Sequence, residues 1–439
     1  MTAELTVIGG GLAGAEAAWQ AAQRGVRVRL FEMRPKRMTS AHRTDRLGEL
    51  VCSNSLKSKW LNTASGLLNE EMRRLESLIL RCGDESAIPG GQALVVDREE
   101  FAARVTAAIE GEPNIAVVRE EVTCIPREGV VIVATGPLTS EPLVADLRAL
   151  TGQKSLAFFD AIAPTVYAES LDYGKMFRAS RYGKGGADYW NCPLSPEEYY
   201  RFWYELVQAE VHAPHLPEDT QYFEACLPVE VLARRGPQTL LFGPMKAVGL
   251  TDPRTGRQPH AVVQLRQEDR AGELYGLVGF QTQLRRREQR RVFGLVPGLE
   301  GAEYARYGSV HRNTFLNAPR LLQPTLQLRQ NPDLFIAGQL VGVEGYIESA
   351  GAGLLAGVNA ARRLRGQDPL ILPRTTMLGA LMRYISDPWV ERFQPMNANF
   401  GLLPRLPRKI KDRQARYQAL AERALADLEQ FMNCHRWFE

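Results

Sequence analysis

Cysteine is scarce in this 439-residue chain: there are six, none in a CxxC pair, which argues against a disulfide-built scaffold and against a zinc ribbon. Long apolar runs are missing as well, so no membrane span is expected. The N-terminal "MTAELTVIGGG" has no basic stretch ahead of an apolar one, so no secretory leader is expected either. Reduced thiols in a cytoplasmic protein follow as the expectation. Internal repeats and low-complexity tracts are absent too, which leaves ordinary globular domains. Excess charge of one sign is also lacking. A net charge of +4 says little by its average, so its distribution has to be read instead.

What is present is the composition of a soluble globular protein, 45% hydrophobic and 24% charged, long enough for two to three domains. "ELTVIGGGLAGAEAAWQAAQRGVRVRLFE" reads as a strand to Ile8, a glycine turn, a helix from Leu12 to Gln23 and a strand ending at Glu32, a βαβ unit. A helix is expected from near Asp97, and "VVIVATGP" reads as a buried strand. From about Phe158 to Gly298 the texture changes to aromatics, mixed helices and antiparallel-looking stretches such as "GELYGLVGFQTQL". The α/β texture then returns and ends in a helical tail. The expected architecture is α/β, a Rossmann-like nucleotide-binding fold (1–157 and 299–439) with an inserted α+β domain (158–298).

Gly9, Gly11 and Gly14 form GxGxxG directly between strand and helix. The first permits the turn, the second lets backbone approach a pyrophosphate, and the third lets helix pack on strand. The turn as a whole, Gly9, Gly10, Gly11, Leu12, Ala13 and Gly14, then presents a helix N-terminus to the phosphates. Glu32, at the end of the second strand, is placed to bond a ribose hydroxyl. S-adenosylmethionine enzymes pair similar features, and the later segment decides between them. "DLFIAG" is a strand ending at Gly338, followed by Gln339, and "SAGAGLLAG", with Ser349, Gly351 and Gly353, opens a helix near Ser349. Such a helix can aim its N-terminus at a flavin's pyrimidine oxygens. No second fingerprint follows another strand, so FAD is expected to stay bound while NADH or NADPH visits.

The motifs "GGGLAGAEAAW", "ELVCSNSLKS", "FEACLPVEVLARRG", "FGPMKAVGL" and "LFIAGQLVGVEGYIESAGAGLLAG" occur in this order along the chain. Together they resemble the folate- and FAD-dependent tRNA (uracil-5-)-methyltransferases over essentially the whole length. The sister GidA flavoproteins share the fingerprint and the Ala337-Gly338-Gln339 turn but are longer at the C-terminus. The resemblance implies transfer of one carbon from 5,10-methylenetetrahydrofolate to C5 of the T-loop uridine of tRNA, with electrons from FADH2 recharged by NAD(P)H. It also carries the family's two catalytic cysteines onto Cys52 and Cys226. Uracil C5 is a poor nucleophile until a thiolate adds at C6, and a base must later remove the C5 proton. Two thiols suit this chemistry and no metal is required. Cys226 is assigned to C6 and Cys52 to the flavin face or the base, with the reverse assignment open.

Cys82, Cys124, Cys192 and Cys434 are expected to be buried packing residues. His311 and Arg312 are candidates for folate contact, and Lys246 and Arg285 to Arg287 for RNA phosphate or the folate tail. Trp190, Tyr199, Tyr200, Trp203 and Tyr204 are either core or a stacking platform for an extruded base. Two basic clusters, Arg285 to Arg291 and Arg405 to Arg416, are either solvated helix faces or phosphate surfaces. A small-molecule flavin oxidoreductase, a GidA-like wobble-uridine enzyme and a non-catalytic nucleotide-sensing RNA module are the competing readings.

Overall fold

A computed structural model describes residues 4–152, 156–183, 185–212, 227–391 and 393–438. Its first sheet has six strands in the order Gln327–Leu328, Asn331–Ile336, Val130–Val133, Glu4–Ile8, Arg27–Phe31, Ile115–Val118. All neighbours run parallel except the first pair. Val7 stands opposite Leu30 on one side and Ile132 on the other, all three buried. Near-continuous apolar runs are what a parallel sheet covered on both faces needs.

One cover is the helix Leu12–Gln23, which lies against the late helix Tyr346–Leu364. Their approach is closer than side chains allow. A Cβ at Gly353 would sit 2.1 Å from the Ala13 carbonyl oxygen, and one at Gly357 would sit 2.3 Å from that of Ala17. The late helix starts at Tyr346, earlier than the expected start near Ser349. Its N-cap, Gly345, has φ +120°, a conformation that ends the preceding loop abruptly and lets the helix begin at once.

The second sheet is antiparallel, in the order Phe177–Arg178, Tyr189–Leu194, Ala261–Gln267, Leu274–Leu277, Thr165–Tyr167, Tyr304–Arg306. Only Leu274–Leu277 of the stretch expected to be sheet from Gly272 onwards is a strand. Two large hydrophobic cores result, beside a small cluster of Phe177, Ala247, Leu250 and Val262. One gathers residues from Leu5 to Leu147 and from Leu316 to Trp437, and the other runs from Val166 to Leu299. The antiparallel pair Leu156–Ile162 and Ser309–Phe315 carries the chain out of the first core and back.

Just beyond Cys52 a short strand, Ser55–Ser58, pairs with Ala93–Val96. Leu56 is fully buried there, and one inward residue in a polar run is too weak a period for the sequence to announce.

Candidate functional site

At the carboxyl ends of the parallel strands lies a cleft lined by the glycine turn, the second strand and the late segments of the fold. This is where open α/β sheets bind ligands. Gly9, Gly10, Gly11, Leu12 and Ala13 line it, as do Glu32, Gly338, Gln339 and Ser349, from segments more than 300 residues apart. Gly9 has φ +103° and turns the chain. A Cβ at Gly11 would meet nothing within 4 Å, so this position faces open cleft. Gly14 does the opposite: its Cβ would lie 1.7 Å from the Gly9 carbonyl oxygen. The first intrahelical bond runs from Ala15 N–H to Gly11 O; the N–H groups of Gly9 and Gly10 are taken by Phe31 O and Glu32, and those of Leu12, Ala13 and Gly14 in the first helical turn are left for a ligand. An open cradle at Gly11 and unpaired helix donors fit the pyrophosphate of a dinucleotide. Gly14, Gly351 and Gly353 lie outside the cleft lining, in packing contacts, with a Cβ at Gly351 meeting Leu378 at 2.8 Å.

Glu32 is more heavily engaged than its position in the fingerprint announces. One carboxylate oxygen accepts from Arg34 N (3.0 Å) and Nε (2.9 Å), and the other from Gly10 N (3.0 Å) and Arg34 Nη2 (3.2 Å). Burial raises its pKa, but the Arg34 guanidinium and the two N–H donors outweigh that and hold it below the usual carboxylate value. The carboxylate is therefore anionic, and it locks the glycine turn to the second strand.

Cys52 stands at the lip of this cleft, half-buried, next to the cleft residue Val51. Its Sγ is 2.9 Å from Tyr346 Oη. That same oxygen accepts the N–H groups of Cys52 (2.7 Å) and Ser53 (3.1 Å). With both acceptor sites filled, the hydroxyl hydrogen is left to point at Sγ. Burial first, and then the nearby Cys52, push the Tyr346 pKa well up, so the phenol keeps its proton.

Two arginines clamp the thiol loop, Arg98 from the start of the helix Arg98–Glu110 on the first core and Arg306 from the second sheet. Arg98 donates to the carbonyls of Leu50 (3.2 Å) and Cys52 (3.5 Å) and pairs with Glu268 at 2.6 Å. Arg306 donates to the carbonyl of Val51. Burial works against the Arg98 cation, but Glu268, Tyr346 and Cys52 outweigh it and raise its pKa. Burial and then Arg98 bring Arg306 down to about 10. Arg266 adds bonds to Asn54 Oδ1 and Ser53 Oγ, both 2.9 Å. On the other side Lys57 meets the buried Glu348 at 2.6 Å, and Gln339 donates to Glu344 at 2.8 Å. None of Tyr346, Arg98, Arg306, Lys57 and Glu348 stands out in the sequence. Tyr346 and Glu348 lie inside the motif "LFIAGQLVGVEGYIESAGAGLLAG" and Lys57 inside "ELVCSNSLKS", while Arg98 and Arg306 lie in none.

The other candidates divide. Cys226 lies outside the described residues, as do the side chains of His311 and Arg312. Cys82 and Cys192 are buried, and burial pushes both thiols up, Cys82 to about 11. Cys124 and Cys434 are exposed, against expectation: Cys124 sits in an irregular stretch before a surface turn, and Cys434 in the outer last turn of the helix Arg413–His435. Tyr199 is core, its hydroxyl donating to Pro237 O at 2.7 Å, and Trp203 Nε1 donates to Ala233 O at 2.9 Å. Tyr200 and Tyr204 are exposed. Trp190 is covered by Tyr173 and Arg178. The Lys246 carbonyl accepts from Arg181.

Residues 4–368 match the family model of glucose inhibited division protein A. The Aquifex aeolicus GidA structure in its form II crystal superposes with a TM-score of 0.70 at 19% identity, over 99% of this chain and 76% of GidA, a likeness of fold. Two relatives described as methylenetetrahydrofolate–tRNA-(uracil-5-)-methyltransferase TrmFO are far more similar. The Pelotomaculum thermopropionicum protein is 57% identical, covering 97% of this chain and 98% of the relative. The Symbiobacterium thermophilum protein is 60% identical, covering 96% and 95%. Identity of this degree along both whole chains means that this protein belongs to the TrmFO family, within the wider GidA group.

Proposed function

We propose that the protein methylates C5 of the T-loop uridine, position 54, of tRNA to give 5-methyluridine, with the carbon drawn from 5,10-methylenetetrahydrofolate. The observation that carries this reading is the 57 to 60% identity, end to end, with relatives named for that reaction. FAD is the cofactor that fits the cleft, and when bound it supplies the two electrons that reduce the transferred methylene to methyl; NADH or NADPH recharges it.

The residues then have separable tasks. The turn from Gly9 to Ala13 receives the pyrophosphate, with Glu32 holding the turn in shape. Ser349 and the first turn of the late helix line the cleft and would meet the flavin ring. Cys52, hydrogen-bonded by Tyr346 at the lip, works where cleft and RNA meet, while Cys226 adds to C6 of the uracil and makes C5 nucleophilic. The C5 proton leaves to a base, the C6–sulfur bond breaks, and tetrahydrofolate departs. Residues 158–298 serve as an inserted RNA-side domain, a division supported by the separate core from Val166 to Leu299.

The test is direct. Flavin-loaded enzyme, unmodified tRNA, NADH and methylenetetrahydrofolate labelled at its one-carbon unit should yield labelled 5-methyluridine. Label entering instead from S-adenosylmethionine, or no methylation at all, refutes the reading. RNA carrying 5-fluorouridine at the target should stay covalently attached to the wild type and not to Cys226→Ala; an adduct that survives in Cys226→Ala reverses the assignment of the two thiols.

A further inference from the structure

The stretch from Arg285 to Arg291 forms the helix Arg286–Phe293, whose Gln289, Val292 and Phe293 are buried against the second core. Its outer face is not a uniform set of solvated charges. Arg285 pairs with Glu210, and Arg291 with Glu288 and Glu205. Arg286 and Arg290 do neither: their guanidinium carbons lie 5.5 and 5.4 Å from the centre of the Tyr307 ring, and neither forms an ion pair among the described residues.

Tyr307 is itself fixed. It stacks on Tyr304 at 4.7 Å between centroids and 8° between planes, and its hydroxyl accepts from Arg290 Nε. Tyr304 in turn donates to the Gln289 carbonyl at 3.2 Å. A ring carrying one aromatic neighbour and two guanidinium groups has no clean face for a nucleobase. What the cluster offers outward is the terminal N–H forks of two arginines, held at low entropic cost and not neutralised by carboxylates. That is the geometry of phosphodiester recognition.

The position of the cluster completes the argument. Arg306, adjacent in the chain to Tyr307, is the residue that donates to the Val51 carbonyl, one residue before Cys52. The arginine helix and the thiol loop are thus joined through two consecutive residues, Arg306 and Tyr307. We propose that Arg286 and Arg290, mounted on Tyr307, form the phosphate clamp that holds the RNA strand bearing the target uridine against the thiol loop. This rests on the methyltransferase reading above.

The molecule contains its own control. Arg413 and Arg416 lie over Tyr417 at 5.3 and 5.6 Å in a similar cluster on the helix Arg413–His435. That helix packs on the first core, and among the described residues it makes no hydrogen bond to the thiol loop. Equilibrium binding of unmodified tRNA to flavin-loaded enzyme, measured across a salt series, separates the two clusters. Each phosphate contact contributes roughly 0.7 to 0.9 to the slope of log K against log salt, so Arg286→Glu with Arg290→Glu should lower the slope by about 1.4 to 1.8 and raise KM for tRNA. Arg286→Lys with Arg290→Lys, which keeps the charge and loses the fork, should restore most of the slope while KM stays raised. Arg413→Glu with Arg416→Glu should leave the slope as in the wild type. Flavin absorbance of each variant reports whether it has folded. An unchanged slope and KM in the folded Arg286/Arg290 variant, or the same loss in the Arg413/Arg416 variant, overturns the clamp. Absence of methylation by the wild type would strike the functional reading instead.

Discussion

Gly11 and Gly14 are the same residue type three positions apart, yet substitution should separate them cleanly. At Gly11 the backbone is ordinary extended chain, φ −74°, and a Cβ meets nothing, so Gly11→Ala should fold with an unchanged Tm. Its methyl group would occupy space a pyrophosphate needs, so flavin retention should fall, and Gly11→Val should lose more. At Gly14 the Cβ would overlap the Gly9 carbonyl, so Gly14→Ala should lower Tm as well. Flavin absorbance after gel filtration, together with melting curves of apo protein, checks both. Tyr346→Phe tests the thiol loop. It leaves the N–H groups of Cys52 and Ser53 without their common acceptor, a cost of roughly 1–3 kcal/mol for a buried donor, and removes the hydroxyl from Sγ. Methyl transfer should slow while the protein still folds. Single-turnover transfer at wild-type rate would show that the hydroxyl is dispensable.

Among the secondary-structure elements, the helix Met377–Ser386 is held to the helix Ala64–Arg74 by one buried acid. Glu71 accepts the N–H groups of Met377 (2.6 Å) and Leu378 (2.9 Å) and has no exposure. Burial outweighs these two donors and pushes its pKa up to about 8. In the unfolded chain the group titrates near the ordinary 4.5. Between these values the unfolded state releases a proton that the folded state keeps, so this contribution to stability is full below about pH 4.5 and is lost as pH rises toward 8. Glu71→Gln should remove that slope, which for one proton is at most about 1.4 kcal/mol per pH unit. Urea unfolding of both proteins at pH 5, 6.5 and 8 provides the comparison. Equal pH dependence in the two would mean that Glu71 is ionised in the fold.

In the whole molecule, the first core carries the cleft, the second supplies arginines, and the thiol loop lies between them. The Arg98–Glu268 pair spans that junction, with side chains 17% and 6% exposed. Glu268→Ala leaves a buried guanidinium uncompensated, a loss of roughly 3–5 kcal/mol. Tm should drop and methyl transfer should fall, with flavin still bound, because Arg98 also holds the Leu50 and Cys52 carbonyls. Normal transfer in a folded Glu268→Ala protein would show that the loop keeps its place without this pair.

The sequence by itself determined the local features. The Leu12–Gln23 helix, the flanking strands and the glycine turn were legible because apolar period, glycine spacing and chain order all act within about thirty residues. So was the return of the chain to the same fold, since "DLFIAG" and the small-residue helix carry their own pattern. Tertiary structure alone decided what surrounds the thiol. Cys52 is 294 residues from Tyr346, and Arg306 lies 255 residues from Val51, separations over which no periodicity carries information. Burial likewise split cysteines that look alike in sequence, Cys192 into the core and Cys124 onto the surface, and separated paired arginines from those left open on Tyr307. A local pattern reports how a segment folds. The charge, hydrogen bonding and exposure of a side chain depend on which distant segments pack beside it, and that is settled only when the two cores close around the loop between them.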